Sequence, residues 1–164
     1  MIGGASRLPR RVRVRSFAAA TATEDGQPPG ILVVDDDRDV LDVVGEALTS
    51  KGYRVLGARD GIDAMEDRSR FVAGFGPLST VDVIITDLIM PQVSGLKLLR
   101  HVRENGWLTS VVVVSAFADH DLWAQALELG ANAVLHKPFY LDELLDIVQR
   151  LAPYDAAAMR GGAS

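Results

Sequence analysis

The chain has 164 residues, 48% hydrophobic and 24% charged, which is the size and composition of one ordinary domain with a full core. With no cysteine it has no disulfide framework, thiolate metal site or cysteine nucleophile, a composition that fits an intracellular, soluble protein. The net charge of −5 conceals two parts: residues 1–29 carry five arginines against Glu24 and Asp25, while residues 30–164 carry 12 basic and 20 acidic residues, an acidic body unsuited to nucleic-acid phosphates.

In chain order, residues 1–29 lack hydrophobic periodicity and end at Gln27-Pro28-Pro29-Gly30, so they read as a disordered, Arg-rich N-terminal extension. The apolar stretch Phe17–Ala20 is too short for a signal sequence. From Gly30 onward short apolar runs alternate with amphipathic stretches, which predicts parallel strands separated by helices. The predicted strands are Ile31–Val34, Arg54–Ala58, Val81–Thr86, Ser110–Ser115 and Ala133–His136. Val40, Leu41, Val43, Val44, Ala47 and Leu48 recur at helical spacing and stop at Gly52, a suitable C-terminal cap. A less regular helix follows at about Ile62–Val72, then a loop at Gly74-Phe75-Gly76-Pro77. Leu96, Leu99 and Val102 mark the third helix, and Leu122, Trp123, Ala126, Leu127 and Leu129 the fourth, closed by Gly130. Leu141, Leu144, Leu145, Val148 and Leu151 mark the fifth. No apolar run approaches the roughly 20 residues of a membrane span. Residues 153–164 read as a short flexible tail, too short for an output domain.

Five β-α units make a doubly wound α/β domain, and such sheets work at the carboxyl ends of their strands. There the first strand runs into Asp35-Asp36-Asp37, the third into Asp87, the fourth into Ser115 and the fifth into Lys137. The second ends in nothing comparable. With that second strand at an edge, the other four converge on one pocket. Crowded carboxylates need a compensating cation, and oxygen-only ligands point to a hard ion, Mg²⁺ rather than Ca²⁺. A lysine opposite such an ion suits a phosphoryl group, so the chemistry suggested is phosphoryl transfer to or from a carboxylate.

Four segments carry a resemblance: Ile31-Leu32-Val33-Val34-Asp35-Asp36-Asp37, Ile85-Thr86-Asp87-Leu88-Ile89-Met90-Pro91 with Gly95-Leu96, Val113-Val114-Ser115-Ala116, and Lys137-Pro138-Phe139. In order and spacing they resemble the receiver domain of two-component response regulators over residues 30–152, of the stand-alone, chemotaxis-regulator-like kind. The resemblance implies a flavodoxin-like sheet in the order 2-1-3-4-5 with helices on both faces. It implies that Asp87 accepts a phosphoryl group from a sensor histidine kinase or histidine phosphotransferase. Asp36 would bind Mg²⁺ directly and Asp35 through water, with Asp87 and the main-chain carbonyl of Ile89 completing the ligands, while Lys137 and Ser115 would contact the phosphoryl oxygens. Such a domain is a cytoplasmic switch that catalyses only its own phosphorylation and dephosphorylation. It signals to a downstream protein or passes the group on in a phosphorelay, with no DNA-binding output domain and with homodimerisation left open. A cis Lys137–Pro138 bond is also implied.

Some of these residues and their neighbours have plainer roles. Asp37 is read as the N-cap of the first helix. His101, His120 and His136 are not spaced as metal ligands and read as surface or partly buried side chains. Trp107 and Trp123 read as structural, with a partner contact as the second reading of Trp123. A haloacid-dehalogenase-type phosphatase using Asp35 and Asp37 is the alternative function, but its acidic motif should follow the lysine, whereas Asp87 precedes it. A calcium loop on Asp35, Asp37, Asp39 and Glu46 has Val40 where glycine is needed. Three features depart from the family pattern. Val134 replaces the usual switch aromatic, Ser94 replaces a frequent aspartate, and residues 72–80 lengthen the route to the third strand. Apolar Ile89 and Phe117 beside the path of attacking water predict slow dephosphorylation.

Overall fold

The computed structural model describes residues 12–14, 26–66, 76–116 and 120–161. Within them the chain runs β1 (Val12–Val14), β2 (Gly30–Val34), α1 (Arg38–Ser50), β3 (Arg54–Ala58), α2 (Gly61–Met65), a 3₁₀ turn (Leu78–Thr80) and β4 (Val83–Asp87). It continues through α3 (Gly95–Glu104), β5 (Ser110–Ala116), α4 (His120–Glu128), β6 (Ala133–Lys137), α5 (Leu141–Leu151) and α6 (Ala156–Arg160).

The strands form one sheet in the order β1-β6-β5-β4-β2-β3. The five from Gly30 onward are parallel and follow the expected 2-1-3-4-5 pattern, with β3 at the edge beside β2. Alternation sorts their side chains to two faces. Ile31, Val33, Ile85, Val112, Val114 and Leu135 pack with Val44 and Leu48 of α1 and with Leu144, Ile147 and Val148 of α5. Leu32, Val34, Ile84, Val111, Val113 and Val134 pack with Leu98, Leu99 and Val102 of α3 and Ala126 of α4. Every residue of β2 is buried, as expected of a central parallel strand covered on both faces, which is why it reads as an unbroken apolar run.

The ends of the elements are set locally. Asp37 is the N-cap of α1, its carboxylate accepting the Asp39 N–H at 2.9 Å. Gly52 and Gly130 both take φ +95° just beyond α1 and α4, a conformation open to glycine at little cost. Arg103 at the end of α3 binds backbone and amide oxygens. Its guanidinium donates to the carbonyls of Trp107, Thr109 and Gly130 and to Asn132 Oδ1, tying together the loops that lead into β5 and β6.

Several expectations are corrected. Residues 12–14, inside the extension read as disordered, form β1 and pair antiparallel with β6, Val12 opposite Leu135 and Val14 opposite Ala133. The sheet therefore has six strands among the described residues, because the outer edge of β6 accepts backbone pairing that needs no hydrophobic pattern. The tail is not flexible throughout: Tyr154 stacks against Tyr53 with ring centroids 6.0 Å apart, and Asp155 caps α6. The third predicted strand starts two residues later, at Val83, and the second helix is described only as Gly61–Met65. The rest of that helix and the start of the 72–80 stretch lie outside the described residues. His136 is buried at 4% exposure, since β6 is covered on both faces and paired on both edges.

Candidate functional site

Because the five strands are parallel, their carboxyl ends share one edge of the sheet, and that edge gathers the polar residues. Asp35, just past β2, is 3% exposed. Its Oδ1 accepts the Asp37 N–H at 2.9 Å, and its Oδ2 accepts Lys137 Nζ at 3.1 Å. Asp87 ends β4, with Oδ1 accepting the Ile89 N–H at 3.2 Å and Oδ2 accepting Lys137 Nζ at 2.9 Å. One ammonium from the end of β6 thus bridges two carboxylates from β2 and β4. Lys137 is followed by a cis bond to Pro138, as expected.

Asp36 is exposed and lines a cleft of about 460 Å³ with Arg59, Asp60, Asp63 and Pro91. Arg59 and Asp60 follow β3, the strand whose end had read as chemically empty. Oxygens of Asp35, Asp36 and Asp87 all lie within 4.8 Å of one another. Ile89, two residues beyond Asp87, is 59% exposed. Gly95 closes the loop after Asp87, its N–H donating to the Leu88 carbonyl at 3.0 Å. A Cβ there would collide with the Asp87 carbonyl oxygen, which accounts for glycine in that motif.

Charge and burial oppose each other in this cluster. Burial pushes the Asp35 carboxyl above the ordinary carboxylate range, and the Asp37 N–H and Lys137 offset only part of that push. Burial by itself would lower Lys137, but its hydrogen bonds and charge contacts with Asp87 and Asp35 outweigh it and hold the ammonium above its usual value. The donors are all hard oxygens of graded exposure beside an open cleft. That set fits a small divalent cation that keeps some of its water.

Ser115, 1% exposed, is on the same edge. Its hydroxyl donates to the Ala116 carbonyl at 3.1 Å and accepts the indole N–H of Trp123 at 2.9 Å. Trp123, read as structural, is therefore bonded to a residue of the site. Its position eight residues along the chain carries no sequence signal for that bond. Phe117 lies outside the described residues. Asp37, the second carboxylate of the phosphatase alternative, is exposed and occupied in capping α1.

A family model described as the response regulator receiver domain matches residues 31–149. The chain belongs to the response regulator receiver domain family. It is 35% identical over 131 residues to the response regulator MprA of Mycobacterium bovis, covering 77% of this chain and 54% of that protein. It is 39% identical over 108 residues to the regulator of RpoS of Escherichia coli K12, covering 66% of this chain and 30% of that protein. The receiver thus spans about half or less of the length of these curated relatives. Among solved structures, the Vibrio cholerae chemotaxis protein CheY4 superposes with a TM-score of 0.64 at 28% identity, covering 76% of this chain and 98% of that one. Receivers are phospho-accepting switches and typically bind Mg²⁺, and the Asp35, Asp36 and Asp87 cluster suits that ion. These relatives outweigh the phosphatase alternative.

Proposed function

We infer that this receiver takes a phosphoryl group onto Asp87 from a phosphohistidine of a sensor kinase or histidine phosphotransferase. The observation that carries the reading is the Lys137 ammonium bridging Asp87 and Asp35 at 2.9 and 3.1 Å, with Asp36 beside them. An Asp87 carboxylate oxygen attacks phosphorus in line, the P–N bond breaks, and the imidazole leaves with its electron pair. In dephosphorylation water attacks phosphorus and the acyl phosphate P–O bond breaks, giving inorganic phosphate and the free carboxylate.

Asp35, Asp36, Asp87 and the Ile89 carbonyl would hold Mg²⁺, which would supply charge neutralisation for the phosphoryl oxygens. Lys137 supplies a fixed positive charge on another side of them, already placed before reaction. Ser115 donates a hydrogen bond to a phosphoryl oxygen. A shallow apolar cleft of about 270 Å³ lined by Val40, Val43, Val44, Phe139 and Leu141 lies between α1 and the start of α5, and Val43 is 51% exposed. It supports docking of a helix from the phosphodonor.

Output runs through contact with a downstream protein or onward transfer in a phosphorelay, homodimerisation included. Among the described residues no helix is long and apolar enough to cross a membrane, and a cytoplasmic site of action belongs to the same proposal. The test is labelling by acetyl phosphate or a kinase, with and without Mg²⁺. We expect acid-stable, hydroxylamine-labile label that needs Mg²⁺ and is lost in Asp87→Asn. Undiminished label in that variant, or steady turnover of p-nitrophenyl phosphate, would overturn the reading.

A further inference from the structure

The antiparallel pairing of β1 with β6 gives the N-terminal segment a direction. Val14 lies opposite Ala133 at the start of β6 and Val12 opposite Leu135, so β1 runs away from the carboxyl edge of the sheet and Val12 is its end nearer the site. The register carries across the sheet: Val12 pairs with Leu135, Leu135 with Val114, and Val114 with Asp87. Asp87 is therefore in the same row as Val12, three strand spacings or about 14 Å away. Residues 1–11 lie outside the described residues, but they are tethered at Val12. They include Arg7, Arg10 and Arg11 and no acidic residue. Extended chain spans at most about 17 Å over five residues, which brings arginines this close to Val12 within range of Asp87.

We propose that Arg7, Arg10 and Arg11 form an intramolecular ligand for the phosphoryl group on Asp87, engaging it once it has formed and screening it from water. This rests on the reading of Asp87 as phosphoacceptor. The charge at the edge supplies the reason. With Mg²⁺ bound, the carboxylates of Asp35, Asp36 and Asp87 are balanced by the ion and by Lys137, whose ammonium is already shared between Asp35 and Asp87. Arg59, which lines the neighbouring cleft, has Asp60 and Asp63 beside it there. Phosphorylation replaces the single charge of Asp87 by about −2 and leaves the edge one cation short.

A guanidinium suits that deficit, because it binds phosphoryl oxygens through two parallel N–H donors. The tether through β1 holds the three arginines at a high local concentration, so a contact too weak to form between separate molecules is populated within one chain. Before phosphorylation the balanced site offers them little.

Beryllium fluoride with Mg²⁺ serves as the phosphoryl probe on the full chain, its binding at Asp87 followed by fluorine NMR. Trypsin reports on the segment, since each of the three arginines is a cleavage site. We expect saturating probe to slow initial cleavage after Arg7, Arg10 and Arg11 severalfold, with no slowing in Asp87→Asn. Arg160, exposed on α6, is the internal control and should be cut at one rate throughout. With all three arginines replaced by glutamine, the probe should bind roughly two- to tenfold more weakly, and acetyl phosphate label should decay faster by a similar factor. Lysine at the three positions should restore only part of that loss, because an ammonium keeps the charge without the paired donors.

A bound-fluoride signal with unchanged cleavage after Arg7, Arg10 and Arg11 would overturn the inference and leave Asp87 as the acceptor. Full restoration by lysine would also overturn it, since a long-range field would then account for the effect. No bound-fluoride signal in the wild-type protein would overturn both readings. If the glutamine variant does not fold, cleavage of the wild-type chain and of Asp87→Asn still decides.

Discussion

Lys137 shows how much one side chain holds together at this site. It lies within 3.1 Å of carboxylates from two strands, so any cation entering the cluster must share them with an ammonium. Removing that charge should strengthen metal binding and weaken handling of the phosphoryl group. In Lys137→Met we expect Mg²⁺ to bind about tenfold tighter by calorimetry. That is a gain of about 1.4 kcal/mol, a fraction of the roughly 4 kcal/mol two unit charges exchange at 4 Å and an effective dielectric constant near 20. Acetyl phosphate labelling should fall by about tenfold or more, since the phosphoryl oxygens lose their fixed cation. Unchanged Mg²⁺ affinity would show that Lys137 does not compete for the carboxylates. At this scale Asp35, Asp36, Asp87 and Lys137 were legible because each lies one or two residues beyond a hydrophobic run. The bond between Trp123 and Ser115 was not, since it depends on how α4 lies over β5 and β6.

Between elements, Tyr53 joins the entry to β3 to the end of α5. It is 4% exposed, and its single hydroxyl proton is shared between Gln149 Oε1 at 2.7 Å and the Ala152 carbonyl at 2.9 Å. Burial pushes the phenol from 10.0 up to about 12. The unfolded chain releases this proton near pH 10, whereas the folded one keeps it to about pH 12. The contribution is therefore complete below pH 10 and is lost as pH rises from 10 to 12, at most about 2–3 kcal/mol. Tyr53→Phe should be about 1–2 kcal/mol less stable at pH 8, because it leaves a buried carbonyl without its donor. The gap should narrow above pH 10. Urea midpoints of both proteins from pH 8 to 12 check this, and a constant gap would contradict it. Nothing in the local sequence marks Tyr53, since its partners are 96 and 99 residues away.

At the scale of the whole molecule, residues 12–14 of the basic N-terminal segment meet the acidic body at an edge of the sheet. β1 covers Ala133, Val134 and Leu135 on the outer side of β6 with backbone pairing. Without it those residues present unpaired N–H and C=O groups, which invites association with a second strand. Deleting residues 1–25 should therefore increase concentration-dependent self-association relative to the full chain, measured by sedimentation velocity. Addition of a peptide spanning residues 7–17 should reverse it. A truncated protein that associates no more than the full chain would show that β1 does not protect this edge.

The sequence by itself determined the five parallel strands, the helical stripes and the carboxylate and lysine positions, which follow from periodicity and from the geometry that puts parallel strand ends on one side. The strand order came only with the resemblance to receiver domains. Only the tertiary structure decided the sixth strand, the contact of Tyr154 with Tyr53, the burial of His136 and the bond from Trp123 to Ser115. Backbone pairing at an edge is nearly independent of side-chain identity, so a three-residue strand within an Arg-rich segment leaves no pattern. A hydrogen bond between two elements is fixed by how they pack, to within a fraction of an ångström, and residue spacing does not encode that.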